Sequence, residues 1–159
     1  MQAQFVTDLF KRLKAAGINT ALDTSGCVFN EEVSELLKYT DLVLLDHKYS
    51  GKEDYFKFTG GHLEDTEMFL SELEKRGINT WLRRVIIPGK SDSTESVKAL
   101  NETARRFSCV SRIELLPFRD LCREKYENMG IPFPLKDTLT PTKEKMEELS
   151  ALLDKKYIR

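Results

Sequence analysis

Cysteine is scarce in this sequence. Cys27, Cys109 and Cys122 are the only three in 159 residues, an odd number that suits reduced thiols better than a disulfide framework. No two have the short spacing that holds zinc or an iron–sulfur cluster, so this chain is expected to carry neither. An excess of one charge is also lacking. Twenty-five Lys and Arg face 26 Asp and Glu, a formal net charge of −1, and no basic face is clustered, which argues against a nucleic-acid binder. No apolar run is long enough to span a bilayer, and no charged-then-apolar leader opens the chain. A soluble, cytoplasmic protein is expected.

What the sequence does contain is alternation. Phe5, Val6, Leu9, Phe10 and Leu13 have helical spacing within 5–16, and Gly17 stops the helix. A strand over 18–24 follows, then a helix over 31–38 that Asn30 caps. A strand ending at Asp46, a helix over 66–76 stopped by Gly77 and a strand over 78–87 come next. A helix over 93–107 capped by Asp92, a strand over 111–116, a proline-rich irregular stretch and a helix over 142–157 complete the chain. Gly17-Ile18-Asn19-Thr20 recurs as Gly77-Ile78-Asn79-Thr80, read as a helix stop feeding a strand. Strands alternating with helices imply an α/β fold with a parallel sheet and right-handed crossovers. Four strands are too few to close a barrel of about eight. The first strand would leave an open edge, so residues 1–159 are expected to form one domain with further strands upstream of Met1.

Two strands end in carboxylates, Asp23 before Thr24-Ser25-Gly26 and Asp46 before His47-Lys48. In parallel α/β folds ligands bind at the C-terminal edge of the sheet, where both should lie. Residues two apart share a face, so Asp46 and Lys48 point together and His47 points away, expected outward and partly exposed. One of Arg83 and Arg84 must face inward, and a buried arginine implies an anion or carboxylate partner.

Six short stretches, in order, carry a resemblance. They are Leu22-Asp23-Thr24-Ser25-Gly26, Leu45-Asp46-His47-Lys48, Thr59-Gly60, Arg83 with Ile86-Ile87-Pro88-Gly89, Ile113 through Phe118, and Lys125-Tyr126 with Met129-Gly130. Together they resemble the latter part of the glycyl-radical-enzyme activating enzymes of the radical S-adenosylmethionine superfamily, nearest those acting on pyruvate formate-lyase. The resemblance implies a partial (β/α) barrel around a 4Fe-4S cluster and S-adenosylmethionine. A deoxyadenosyl radical formed there takes hydrogen from a glycine of the partner, pyruvate formate-lyase or a relative. Flavodoxin or ferredoxin is the implied electron donor.

Carried over by position, Asp23, Thr24 and Asp46 match residues that hold a monovalent cation, and Lys48 matches one that binds the cofactor carboxylate. Asp46 and Lys48 thus fall in the implied cofactor site, together with Arg119, which stands where better-known members have a histidine. His47 departs from the usual leucine, and Leu63 stands where a polar residue is expected. The three-cysteine cluster motif and the Gly-Gly-Glu segment are absent from these residues, so this chain by itself is expected to make no radical. Two other readings compete. Lys48 could form a Schiff base in an aldolase with its pKa lowered by burial, although Asp46 on the same face should keep the ammonium charged. A half-barrel could also serve as a non-catalytic interaction domain.

Overall fold

Two helices end in the same way, and each hands the chain to a strand. The computed structural model describes residues 2–158. Helix α1 (Ala3–Ala15) closes at Gly17, φ 74°, where the Gly17 amide donates to Lys14 O (3.0 Å) and the Ile18 amide to Leu13 O (2.9 Å). Helix α4 (Leu63–Arg76) repeats this at Gly77, φ 66°, with Gly77 to Glu74 O and Ile78 to Leu73 O, both 3.0 Å. This is the Schellman arrangement, in which the amide two residues past the helix reaches back to its last turn. The repeated Gly-Ile-Asn-Thr is therefore a local stop signal used twice.

Strands β1 (Ala21–Thr24), β2 (Leu42–Asp46), β3 (Asn79–Ile86) and β4 (Val110–Pro117) pair in that order, all parallel, so the sheet is open and the fold is the expected α/β one. Helices α2 (Glu31–Leu37), α4 and α5 (Thr94–Arg106) connect the strands. One sheet face packs Leu22, Val43, Leu45, Leu82, Ile86 and Ile113 against helix residues such as Leu36, Phe69, Leu70, Leu73 and Leu100, all buried. On the other face Leu42, Leu44, Trp81, Arg83 and Val85 are only partly buried. A parallel sheet is ordinarily covered on both sides, so this face is the unusual one.

Several expected boundaries shift, each for a visible reason. Strand β1 starts at Ala21 rather than 18, because the backbone before it is tied to a side chain. Asp41 Oδ2 accepts from the Thr20 amide (2.9 Å) and the Thr20 hydroxyl donates to Tyr39 O (2.5 Å). Ser93, not Asp92, caps α5, accepting from the Ser96 amide at 3.1 Å, while Asp92 turns back to accept from the Gly89 amide at 2.9 Å. Asn30 caps α2 as expected (3.0 Å to the Val33 amide).

The last helix, α7 (Lys143–Ser150), stops well short of 157. Buried Asn101 takes the chain beyond it, donating to Leu152 O (2.8 Å) and accepting from the Asp154 amide (3.1 Å), so those groups are satisfied outside a helix. Helices α3 (Lys52–Thr59) and α6 (Arg123–Asn128) were not expected. Tyr55 is the only buried residue of α3 and α6 buries none, so neither has an apolar stripe to read. Leu63 is buried with Tyr49 and Tyr55, which accounts for an apolar residue there.

Candidate functional site

The C-terminal ends of β1 and β2 and the middle of β3 bring four charged side chains together on the partly open face. The register pairs Asp46 with Arg83. Arg83 donates to Asp46 Oδ1 from Nε (3.1 Å) and Nη2 (2.9 Å), and Nη2 also reaches Asp23 Oδ1 (2.6 Å). Lys48 Nζ donates to the other oxygen of Asp46 at 2.7 Å. One guanidinium thus joins two carboxylates, and one carboxylate joins two cations. Burial works to lower the Arg83 pKa, but the hydrogen bonds and charges of Asp23 and Asp46 outweigh it and raise the value. The row continues to Glu114, the register neighbour of Arg83, which pairs with Arg112 at 3.1 Å, and Arg112 lies 4.5 Å above the Trp81 ring.

Beside Lys48 opens a cleft of about 780 Å³ whose walls include Tyr49, Phe58, Val85, Ile87 and Phe118. A charged end and an apolar body in one depression suit an amphipathic small molecule. Asp23, Asp46 and Lys48 are therefore brought together. The other two expected residues make no hydrogen bond or ion pair to these among the described residues. The Thr24 hydroxyl accepts from the Gly26 amide at 3.1 Å, closing the turn after β1, and Arg119 is exposed past β4 with no ion pair among the described residues.

Among the described residues no group of three or more His, Cys, Asp or Glu is placed to hold a metal ion. A guanidinium already bridges Asp23 and Asp46, where the resemblance implies a monovalent cation. The free thiols do not converge either, Cys27 being exposed and Cys109 and Cys122 half-buried, so these residues do not fit an iron–sulfur cluster.

The opposite face holds the two surprises. His47 points away from Asp46 as parity requires, but it is fully buried rather than partly exposed. Arg84 is fully buried too, and its partners are neutral instead of anionic. Nε donates to His47 O (3.0 Å), Nη1 to Ser96 O (2.8 Å) and Oγ (3.0 Å), and Nη2 to His47 Nδ1 (2.6 Å) and Ser50 Oγ (2.8 Å). All five guanidinium donors are thereby used. Because Nδ1 accepts, the imidazole proton is assigned to Nε2, which is buried without a partner among the described residues. Burial and the Arg84 charge push the His47 pKa down to about 3, and burial pushes Arg84 down to about 10.

Sequence reasoning anticipated an inward arginine without placing Arg83 in the site. Its bridging role depends on the β2–β3 register, which no local motif encodes.

No family model matches the chain. Individual relatives do. It is 37% identical over 156 residues to the pyruvate formate-lyase 1-activating enzyme of Escherichia coli, covering 97% of this chain and 63% of that one. To the pyruvate formate-lyase-activating enzyme of Clostridium pasteurianum it is 36% identical over 153 residues, covering 96% and 64%. The chain thus spans just under two thirds of the length of these relatives. Among solved structures, a domain of pyruvate-formate lyase-activating enzyme from Bacteroides vulgatus superposes with a TM-score of 0.75 at 20% identity, over 95% of this chain and 84% of that domain. Coproporphyrinogen III oxidase from Escherichia coli, a radical SAM enzyme, gives 0.62 at 13% identity, over 95% and 36%, a likeness of fold alone. In sequence the chain is similar to the pyruvate formate-lyase-activating enzymes over nearly all of its own length, and in fold it is similar to a domain of one of them.

Proposed function

We propose that this chain supplies part of the S-adenosylmethionine and partner site of a radical-SAM activase that generates a glycyl radical on pyruvate formate-lyase or a related enzyme. The observation that carries this reading is the Lys48–Asp46–Arg83 array, whose Lys48 lines the apolar cleft. Lys48 is a point charge for the carboxylate of the cofactor, and the cleft takes its less polar part. When bound, the cofactor supplies the radical that removes hydrogen from the partner's glycine. This chain's own residues bind and orient it. Asp46 holds Lys48 in place by their 2.7 Å ion pair, and Arg83 keeps Asp46 from swinging away. That same ion pair disfavours a Schiff-base aldolase. A monovalent cation at Asp23, Thr24 and Asp46 would have to displace Arg83, so the reading does not rely on one.

The 63% share of its relatives and the open sheet support taking residues 1–159 as one domain, the C-terminal portion of a larger partial barrel. The 4Fe-4S cluster, a flavodoxin or ferredoxin donor and a cytoplasmic setting belong to that larger protein, and radical formation is not expected from these residues alone. No described helix is long and apolar enough to cross a membrane. NMR titration of the chain with S-adenosylmethionine tests the reading. Shifts centred on residues 46–49 and 83–87 are expected, weakened by Lys48→Ala. Binding elsewhere, or none, refutes it.

A further inference from the structure

We infer that Arg84 is a positioning residue for Lys48, acting from the opposite face of the sheet; this rests on the reading of Lys48 as a cofactor ligand. Two consecutive arginines of β3 grip the same segment of chain from its two sides. Arg83 holds the Asp46 carboxylate on the partly open face. Arg84 holds the backbone of the next residues on the covered face. His47 donates its amide to Arg83 O (2.9 Å), and its carbonyl accepts from Arg84 Nε (3.0 Å), so both its backbone groups are tied to β3. Three residues on, Ser50 Oγ accepts from Arg84 Nη2 (2.8 Å).

The Arg84 contacts at 47 and 50 therefore bracket Lys48. The guanidinium is itself anchored at the first turn of α5 through Ser96 O and Oγ (2.8 and 3.0 Å). β2 ends at Asp46 and α3 begins at Lys52, so beyond the His47 amide no backbone ladder or helix bond among the described residues holds residues 48–50 between them. Arg84 takes that role. Its planar fork is pre-organised to hold several acceptors at fixed angles, which an ammonium is not. With five donors all bonded and no counter-ion in contact among the described residues, the group is costly to bury, and a side chain that only filled space there would be apolar.

A double-mutant cycle on the full chain tests the inference, read as affinity for S-adenosylmethionine by NMR titration. Arg84→Gln is expected to weaken binding about tenfold, the scale of one charge-assisted hydrogen bond. With Lys48 already replaced by alanine, the same change is expected to cost less than about twofold, because coupled residues are not additive. A general loosening of the fold would weaken both backgrounds equally; that result, or unchanged affinity, overturns the inference. Ser50→Ala removes only the far acceptor, is expected to show the same dependence on Lys48 at about threefold, and decides the question if Arg84→Gln does not fold. If the unaltered chain binds no S-adenosylmethionine, the functional reading fails by itself. The clamp is then read from the ¹⁵N signal of the Lys48 ammonium, expected to exchange slowly beside Asp46 and to be lost in the variants. A signal that is absent from the unaltered chain, or that persists in both variants, overturns it.

Discussion

Arg83 Nη2 stands 2.9 Å from Asp46 Oδ1 across the β2–β3 ladder, and the same nitrogen stands 2.6 Å from Asp23 Oδ1 on β1. A single cation neutralises two strand-end carboxylates, and they are not equally dependent on it. The Asp46 side chain is 23% exposed and Asp23 is 60% exposed. Water screens the second pair far more than the first.

Arg83→Met is therefore expected to destabilise the fold by about 1–3 kcal/mol, mostly through Asp46 Oδ1, which loses its partner while Oδ2 keeps Lys48. Adding Asp46→Asn should recover part of that loss. Urea midpoints of the two single variants Asp23→Asn and Asp46→Asn check the asymmetry, with the larger drop expected for Asp46. Equal drops would mean that burial does not rank these pairs.

Lys48→Ala is expected to weaken S-adenosylmethionine binding by about 1–3 kcal/mol, the loss of a charge-assisted contact to a carboxylate. The fold should be little affected, since the Lys48 side chain is 36% exposed. Calorimetric titration of the Lys48→Ala variant with S-adenosylmethionine measures it, and an unchanged affinity would remove Lys48 from the site.

Acid should destabilise this protein through His47. In the folded chain its pKa lies near 3, lowered by burial and then by the Arg84 charge, against 6.5 unfolded. The imidazole therefore contributes stability above pH 6.5, and that contribution is lost as the pH falls, because the unfolded chain takes up a proton the folded one refuses. The slope is at most about 1.4 kcal/mol per pH unit. In His47→Gln the amide oxygen can still accept from Arg84 while the titration is gone. Urea unfolding of both proteins at pH 7, 6 and 5 should show the variant losing less stability on acidification. Parallel losses would assign the acid effect to other groups.

Gly26 has φ 66°, and a Cβ there would meet Leu45 Cδ1 at 2.9 Å and Phe69 Cβ and Cδ1 at 3.2 Å. Gly26→Ala combines a left-handed backbone with overpacking against the core, so a loss of about 1–3 kcal/mol is expected. Gly60→Ala, φ 71° with nothing within 4 Å, isolates the backbone share and should cost less. Thermal unfolding of the two variants separates the contributions.

The alternation of helices and strands, the two glycine-terminated helices and the placing of Asp23 and Asp46 at strand ends were legible in the sequence. Each depends on neighbours within a few residues, on spacing, caps and stops. The six motif stretches identified the relatives before any coordinate did. Strand parity also placed Asp46 and Lys48 on one face. The rest required long-range partners. The end of α7 is set by Asn101, about fifty residues away, and the start of β1 by Asp41. That Arg83 rather than Arg84 meets the carboxylates follows from register between strands 37 residues apart in sequence. That Arg84 lies fully buried on neutral partners, His47 among them, depends on α5 supplying Ser96 to it. Local pattern can say which way a side chain points, but only the packed sheet and its covering helices decide what it meets there.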